Sequence, residues 1–370
     1  MLRTVQSLLH VGTGGIVIEV ECHISNGLPA IIIVGLGNKA VDEAKERIRS
    51  AYASCKLSLP AKRITINLAP ADVPKDSTSF DLAIAAAILQ ASEQTKRLLT
   101  TDEAVIGEVG LDGRIRPVRG IIGKLLAGKQ SSITTFYIPV GNLKQALLVP
   151  DITIVPVTNL RDLYLDLCGS AALKRYESSS VSPPAPSENK VLHHMSDIVG
   201  QEAAKRALEI AAAGGHNILL SGPPGTGKSM LAKALPSILP PLSQSEMLEI
   251  THLHSLANNN YDQLVTTRPF RSPHHSASSV SIIGGGDVVR PGEISLSHRG
   301  VLFLDELPEF GRSTIESLRQ PLEDGFITVA RAKESVVYPA SFILVATANP
   351  CPCGYDGGTQ RMHLLSGGNY

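Results

Sequence analysis

The run Gly222-Pro223-Pro224-Gly225-Thr226-Gly227-Lys228-Ser229 constrains this chain more than any other stretch. It fits the pattern G-x-x-x-x-G-K-[ST], in which glycines let successive backbone N–H groups curl around phosphate oxygens. The context agrees with the pattern. An apolar strand is predicted at Asn217 to Leu220, before the run, and a helix after it, the strand–loop–helix order of a nucleotide site. Lys228 is placed to reach β- and γ-phosphates, Ser229 to offer a hydroxyl to Mg2+, and the helix beginning there to point its positive end at the same anion. With Met230 at the helix start, these residues form the candidate nucleotide-binding set, and its cofactors are ATP and Mg2+.

Two further apolar runs end in polar residues. Val301 to Leu304 leads into Asp305-Glu306, as a buried strand does when its carboxyl end opens on a ligand crevice. Asp305 is the candidate Mg2+ partner and Glu306 the candidate base for an attacking water. Phe342 to Ala346 leads to Asn349, which either orients that water or simply makes an Asn-Pro turn with Pro350. Lys228, Glu306 and Asn349 are therefore the candidate catalytic residues. The three strand ends are expected on one sheet edge, with a helix from Ser313 to Leu322 between the last two strands.

The rest of the chain frames this site. Its 370 residues, 43% hydrophobic, suffice for about two globular domains. The 34 basic and 34 acidic residues cancel, so any DNA contact must come from a local patch. No run approaches the ~20 apolar residues that span a bilayer, and residues 1–10 do not read as a secretory signal, so a cytoplasmic protein is expected. Five scattered cysteines describe no disulfide framework. A Ser/Pro-rich stretch, residues 176–193, reads as a linker between an α/β amino-terminal domain, 1–175, and a second domain, 194–370. Upstream, strands are predicted at Gly15 to Val20, Ala30 to Val34, Arg63 to Leu68, Ala104 to Val109, Phe136 to Ile138 and Ile152 to Val155. Helices are predicted at Lys39 to Ser54, Asp81 to Ala91 and Ile121 to Ala127.

Taken with Asp197-Ile-Val-Gly-Gln201, Phe270-Arg-Ser-Pro-His-His275, Pro291-Gly-Glu-Ile-Ser295, VLFLDELPEF at 301–310, Arg319-Gln-Pro-Leu-Glu323 and Ala348-Asn-Pro-Cys-Pro-Cys-Gly354, the second half resembles the magnesium chelatase-like AAA+ family called YifB or ComM. The resemblance implies a P-loop NTPase core, a hexameric ring with ATP sites between subunits, and ATP-driven DNA remodelling. Gly107 to Val118 and Pro70 to Asp76 make the first half similar to that family's companion domain, of the ribosomal S5 and Lon-protease type. That likeness raises a Ser79–Lys124 dyad as an alternative chemistry. Otherwise Ser79 caps the helix near Asp81 and Lys124 is a solvated helix charge.

Other candidates are weaker in kind. Cys351 and Cys353 invite a zinc reading but supply two ligands where a structural site wants four, and His363 does not complete it. His274 and His275, being adjacent, do not share a face for chelation. Arg268, Arg271 and Arg290 either line a ring channel and touch DNA phosphates or belong to a solvated loop. After Gly354 the chain runs on without the Leu-Leu-Asp-Arg segment that the resemblance implies. An arginine finger and helical lid are thus expected to be missing, so binding should survive better than turnover, with Arg319 as a substitute from a neighbour. Three functions follow: a DNA-remodelling ATPase, an ATP-binding regulatory module, or an ATP-dependent Ser-Lys protease.

Overall fold

The computed structural model describes residues 2–11, 14–35, 39–71, 73, 75, 78–178, 193–257, 264–286, 289–330 and 335–349. Cys351, Cys353 and His363 lie outside them, as do Asp76 and most of the stretch expected as a linker. The chain forms two compact units, one on each side of that stretch. Tyr176–Glu177, expected at the start of the linker, instead pairs antiparallel with Thr153–Val157.

Among the described residues, the amino-terminal unit is built on an eight-stranded mixed sheet. Its order is Tyr176–Glu177, Thr153–Val157, Thr135–Pro139, Glu103–Val105, Leu2–Val11, Gly14–Ser25, Arg63–Ala69, Ala30–Val34. Leu2–Val11, for which no strand is predicted, lies in the middle. Val5 and Leu9 enter the core shared with the helices Lys39–Ser54, Asp81–Ala91 and Leu160–Leu167. Leu8 points the other way, to Gly128 of the helix Ile121–Gln130. A strand covered on both faces needs no polar alternation, which is why its pattern is hard to read. Ser7 is buried in it and donates to the carbonyl of Val105 at 2.8 Å. The predicted strand Ala104 to Val109 is two strands, Glu103–Val105 and Glu108–Val109, because the amide of Gly107 turns away to the carbonyl of Ser79.

The helix Asp81–Ala91 is buried along its whole length. Its first residue therefore places a carboxylate in the interior, and Arg47 meets it twice, Nε to Oδ2 at 2.7 Å and Nη2 to Oδ1 at 3.1 Å. Burial pushes the Asp81 carboxyl up to about 6, against the pull of Arg47. Two expectations are corrected here. Ser79 does not cap this helix: Phe80 holds the N-cap position, with no side-chain capping bond, and Ser79 itself is buried. Lys124 is no solvated charge: it is 2% exposed, and burial pushes its amine down to about 7.

The carboxy-terminal unit carries a four-stranded parallel sheet in the order Ile218–Ser221, Ile343–Ala348, Val301–Leu304, Phe270–Arg271 among the described residues. Val301 and Phe303 face a core formed with the helices Glu202–Gly214 and Lys228–Ala234, while Leu302 and Leu304 face a second core with Leu253, Ile294 and Tyr338. An apolar run without alternation is what two covered faces require. The single helix predicted from Ser313 to Leu322 is two, Arg312–Ser317 and Arg319–Asp324. Pro321 has no N–H to give the carbonyl of Ser317 and its ring crowds that oxygen, so the first helix ends there.

Two of the three arginines considered for DNA serve this fold instead. Arg268 binds Glu246 and the carbonyls of Pro240, Pro241 and Arg299. Arg271 makes a two-pronged pair with Glu293, both bonds at 2.5 Å. Arg290 is exposed within a two-stranded ribbon, Gly284–Gly285 with Arg290–Pro291.

These ion pairs generate two predictions. Replacing Arg47 with Met strands a buried carboxylate and should cost about 3 kcal/mol at neutral pH, read from hydrogen exchange of the Asp81–Ala91 amides. Without Arg47 the raised Asp81 pKa climbs further, so the charged form is penalised most at high pH. The loss should shrink as pH falls from the variant's higher Asp81 pKa towards about 6 and level off below it, where the carboxyl is protonated in both proteins. Arg271→Ala should cost about 2 kcal/mol and Arg290→Ala less than about 0.5 kcal/mol, compared by denaturant titration.

Candidate functional site

All neighbouring strand pairs in the carboxy-terminal sheet are parallel, so their carboxyl ends share one edge. Register aligns Ser221 with Ala348 and Leu304 with Ala346. The glycine-rich loop, Asp305-Glu306 and Asn349 therefore emerge side by side, at the place where open parallel sheets take ligands.

The loop leaves Ser221 and turns through Gly225 and Gly227, whose φ angles of 82° and 84° lie in the left-handed region. A Cβ at either position would meet nothing within 4 Å, so the two glycines are there for backbone conformation and for open access to the loop's amides. The Thr226 hydroxyl donates to the Pro223 carbonyl at 2.9 Å, and Gln201 donates to the Thr226 carbonyl at 3.2 Å. Pro224 is exposed at the loop's outer turn, and Met230 is exposed at the start of the helix Lys228–Ala234. The Lys228 ammonium donates to the carbonyls of Gly222 and Pro223, at 2.7 and 2.9 Å, and to Asn349 Oδ1 at 3.2 Å. Lys228 and Asn349, 121 residues apart in sequence, are thus direct neighbours.

The Ser229 hydroxyl sits against the Asp305 carboxylate, 3.1 Å from Oδ1 and 3.0 Å from Oδ2. Serine and aspartate oxygens side by side are hard donors, suited to Mg2+ that takes its remaining ligands from phosphate and water. Among the described residues there is no cluster of three or more His, Cys, Asp or Glu side chains able to hold a metal. Glu306 is exposed, and its φ of 56° is unusual for a residue with a side chain.

Two residues of this site carry no role in the motif reading. Gln201, present there only as the end of a motif, is brought to the loop by its side chain. Thr347, 1% exposed, gives its hydroxyl proton to Asp305 Oδ1 at 2.5 Å and accepts the Glu306 amide at 2.8 Å. The signal for Thr347 is a lone hydroxyl in an otherwise apolar strand, two residues before Asn349 and so on the same face. The rings of His274 and His275 lie 4.1 Å apart, tilted by 35°, and His274 is bonded to Ser276.

The same two units appear in comparisons with known proteins. Residues 194–366 match the family "Magnesium chelatase, subunit ChlI", and residues 20–142 match "Subunit ChlI of Mg-chelatase". The chain is 44% identical over 363 residues to the uncharacterized protein YifB of Escherichia coli, covering 97% of this chain and 70% of that protein. It is 43% identical over 365 residues to the competence protein ComM of Haemophilus influenzae, covering 97% and 71%. An uncharacterized protein of Mycobacterium tuberculosis is 43% identical over 346 residues, covering 92% and 68%. Motif order, sheet-edge geometry and likeness along almost the whole chain agree: this protein belongs to the YifB/ComM family of magnesium chelatase ChlI-like proteins, with an amino-terminal ChlI domain and a magnesium chelatase AAA-type ATPase domain.

Proposed function

We propose that the chain binds ATP with Mg2+ at the shared edge of its parallel sheet, hydrolyses it, and uses the cycle to remodel DNA as one subunit of a ring. The observation that carries the nucleotide reading is the meeting of Lys228, Ser229, Asp305 and Asn349 within hydrogen-bond distance of one another or of the loop. Held by Ser229 and Asp305, Mg2+ would supply positive charge to offset the negative charge that develops on the phosphates. The protein's own residues do the rest. Loop amides and Lys228 hold the phosphates, Ser229 and Asp305 hold the metal, Glu306 takes a proton from water, and Asn349 orients that water.

The DNA part rests on kinship with the Haemophilus competence protein, which supports a role in competence. Arg290 is the exposed basic residue we assign to phosphate contact, since Arg268 and Arg271 are held in internal pairs. The amino-terminal unit, with its mixed sheet and flanking helices, fits an S5/Lon-like domain. Among the described residues no helix is long and apolar enough to cross a membrane, which accords with work on DNA in the cytoplasm. The Ser-Lys protease reading is weaker, because Ser79 and Lys124 are both buried inside their unit, away from a polypeptide substrate.

The test is nucleotide binding and phosphate release by wild type, Lys228→Ala and Glu306→Gln, each with and without branched DNA. Lys228→Ala should bind at least about ten-fold more weakly, and Glu306→Gln should bind normally while turnover falls about 10²-fold or more. Stimulation by branched DNA should vanish in both. Wild-type affinity in Lys228→Ala would refute the nucleotide site; turnover indifferent to DNA would refute the remodelling role alone.

A further inference from the structure

We infer that Thr347 is a positioning residue that sets the directions of both acidic side chains of the site, an inference that deepens the nucleotide reading above and rests on it.

The strand Ile343–Ala348 is apolar except for this residue, and Thr347 is buried. If packing alone decided the position, valine, with the same shape and no hydroxyl to satisfy, would serve as well. The hydroxyl instead makes two bonds, and their partners are consecutive residues. It donates to Asp305 Oδ1 at 2.5 Å and accepts the Glu306 amide at 2.8 Å. Parallel register makes this possible: Leu304 lies opposite Ala346, so the next residue along each strand brings Asp305 beside Thr347.

Each bond fixes a different thing. Asp305 accepts Thr347 on one oxygen and the Ser229 hydroxyl across both, so its carboxylate plane is held from two sides, facing Ser229. Glu306 carries a backbone φ of 56°, in the left-handed region that side-chain-bearing residues avoid. That conformation is held from both ends, its N–H by Thr347 and its C=O by the amide of Glu309 at 2.8 Å. A regular strand would send Glu306 to the face opposite Asp305; the held turn sends it out to solvent at the strand end. One hydroxyl thus holds both the Asp305 carboxylate beside Ser229 and the backbone turn at which Glu306 is exposed. Without it, Asp305 loses a charge-assisted bond, the Glu306 amide loses its acceptor, and the turn is free to relax.

The experiment compares Thr347→Val and Thr347→Ser with wild type in three measurements. Hydrogen exchange of the Glu306 amide, which needs no ligand, should quicken at least about ten-fold in Thr347→Val and return to within about three-fold of wild type in Thr347→Ser. Half-saturating Mn2+ in the nucleotide complex, followed by electron paramagnetic resonance, should rise about ten-fold in Thr347→Val, the usual scale for loss of a bond behind a metal ligand. Turnover should fall about ten- to a hundred-fold with nucleotide KM changed less than about three-fold, and serine should restore most of it. Unchanged exchange at Glu306 or unchanged Mn2+ demand in Thr347→Val overturns the inference. So does a Thr347→Ser protein as impaired as Thr347→Val, or an equal loss of metal-free nucleotide affinity and thermal stability, which marks a purely structural role. If wild type binds no nucleotide, the nucleotide reading fails by itself, and exchange at Glu306 still decides whether Thr347 holds that turn.

Discussion

The carboxy-terminal unit depends on parallel register. Three strands drawn from positions near 220, 303 and 346 are aligned so that their last residues reach the same edge. Everything chemical in the site is a consequence of that alignment. Ser229 meets Asp305, Asp305 meets Thr347, and Lys228 meets Asn349, each pair separated by 42 to 121 residues of chain. A one-residue slip between the strands Val301–Leu304 and Ile343–Ala348 would exchange their faces, sending Thr347 away from Asp305. The two apolar cores guard against the slip. Val301 and Phe303 are committed to one core and Leu302 and Leu304 to the other, so a shifted strand would have to refill both.

That double commitment also explains why adjacent carboxylates end up in different surroundings, Asp305 half-buried and Glu306 exposed. A strand buried on both faces cannot carry a charge until it leaves the sheet, and Asp305 is the first residue past its end. The hydroxyl of Thr347 offsets part of the cost of bringing a carboxylate so near the core, because it supplies a donor where the apolar neighbours have none. Glu306 comes next and escapes to solvent only because its backbone turns. The left-handed conformation there has a cost of order 1–3 kcal/mol, and the bonds to Thr347 and Glu309 are what hold it.

Local features were legible in the sequence, and pairings between distant residues were not. The glycine-rich loop and the strands ending in Asp305 and near Asn349 announce themselves because the motif is contiguous and the apolar runs are bounded by polar ends. The helices Lys39–Ser54 and Asp81–Ala91 have the predicted limits for the same reason. Leu2–Val11 is hard to read because a central strand mixes Gln6, Ser7 and Leu8 without a usable period, and its burial is decided by helices that begin only at Lys39, Asp81 and Ile121. The partner of Arg271 lies 22 residues off and that of Arg47 lies 34 residues off, so neither arginine could be distinguished from a solvent-facing one. Lys124 fails similarly. A single lysine on a helix reads as the polar face, but close approach of this helix to Gly15 puts it inside.

The amino-terminal unit shows how a motif can be accounted for by structure before chemistry is invoked. The stretches 78–82 and 107–109 are stitched together. Gly107 donates its amide to the Ser79 carbonyl and accepts the Leu82 amide, Val109 donates to Asp81, and the Thr78 hydroxyl donates to Glu108. A side chain at position 107 would press within 2.7 Å of Ile115 and 3.2 Å of Leu82, so glycine is required by close packing. Asp81 is held by Arg47 and the Val109 amide as the price of starting a wholly buried helix. The residue choices at Gly107, Asp81 and Arg47 are thus explained by joining that helix to the turn beside it. The buried amine of Lys124 adds a group that is easily neutralised, as burial demands of a lysine with no counter-charge among the described residues. In the other unit, by contrast, a lysine, a serine, two carboxylates and an asparagine gather along one sheet edge, four of them half-buried and Glu306 exposed.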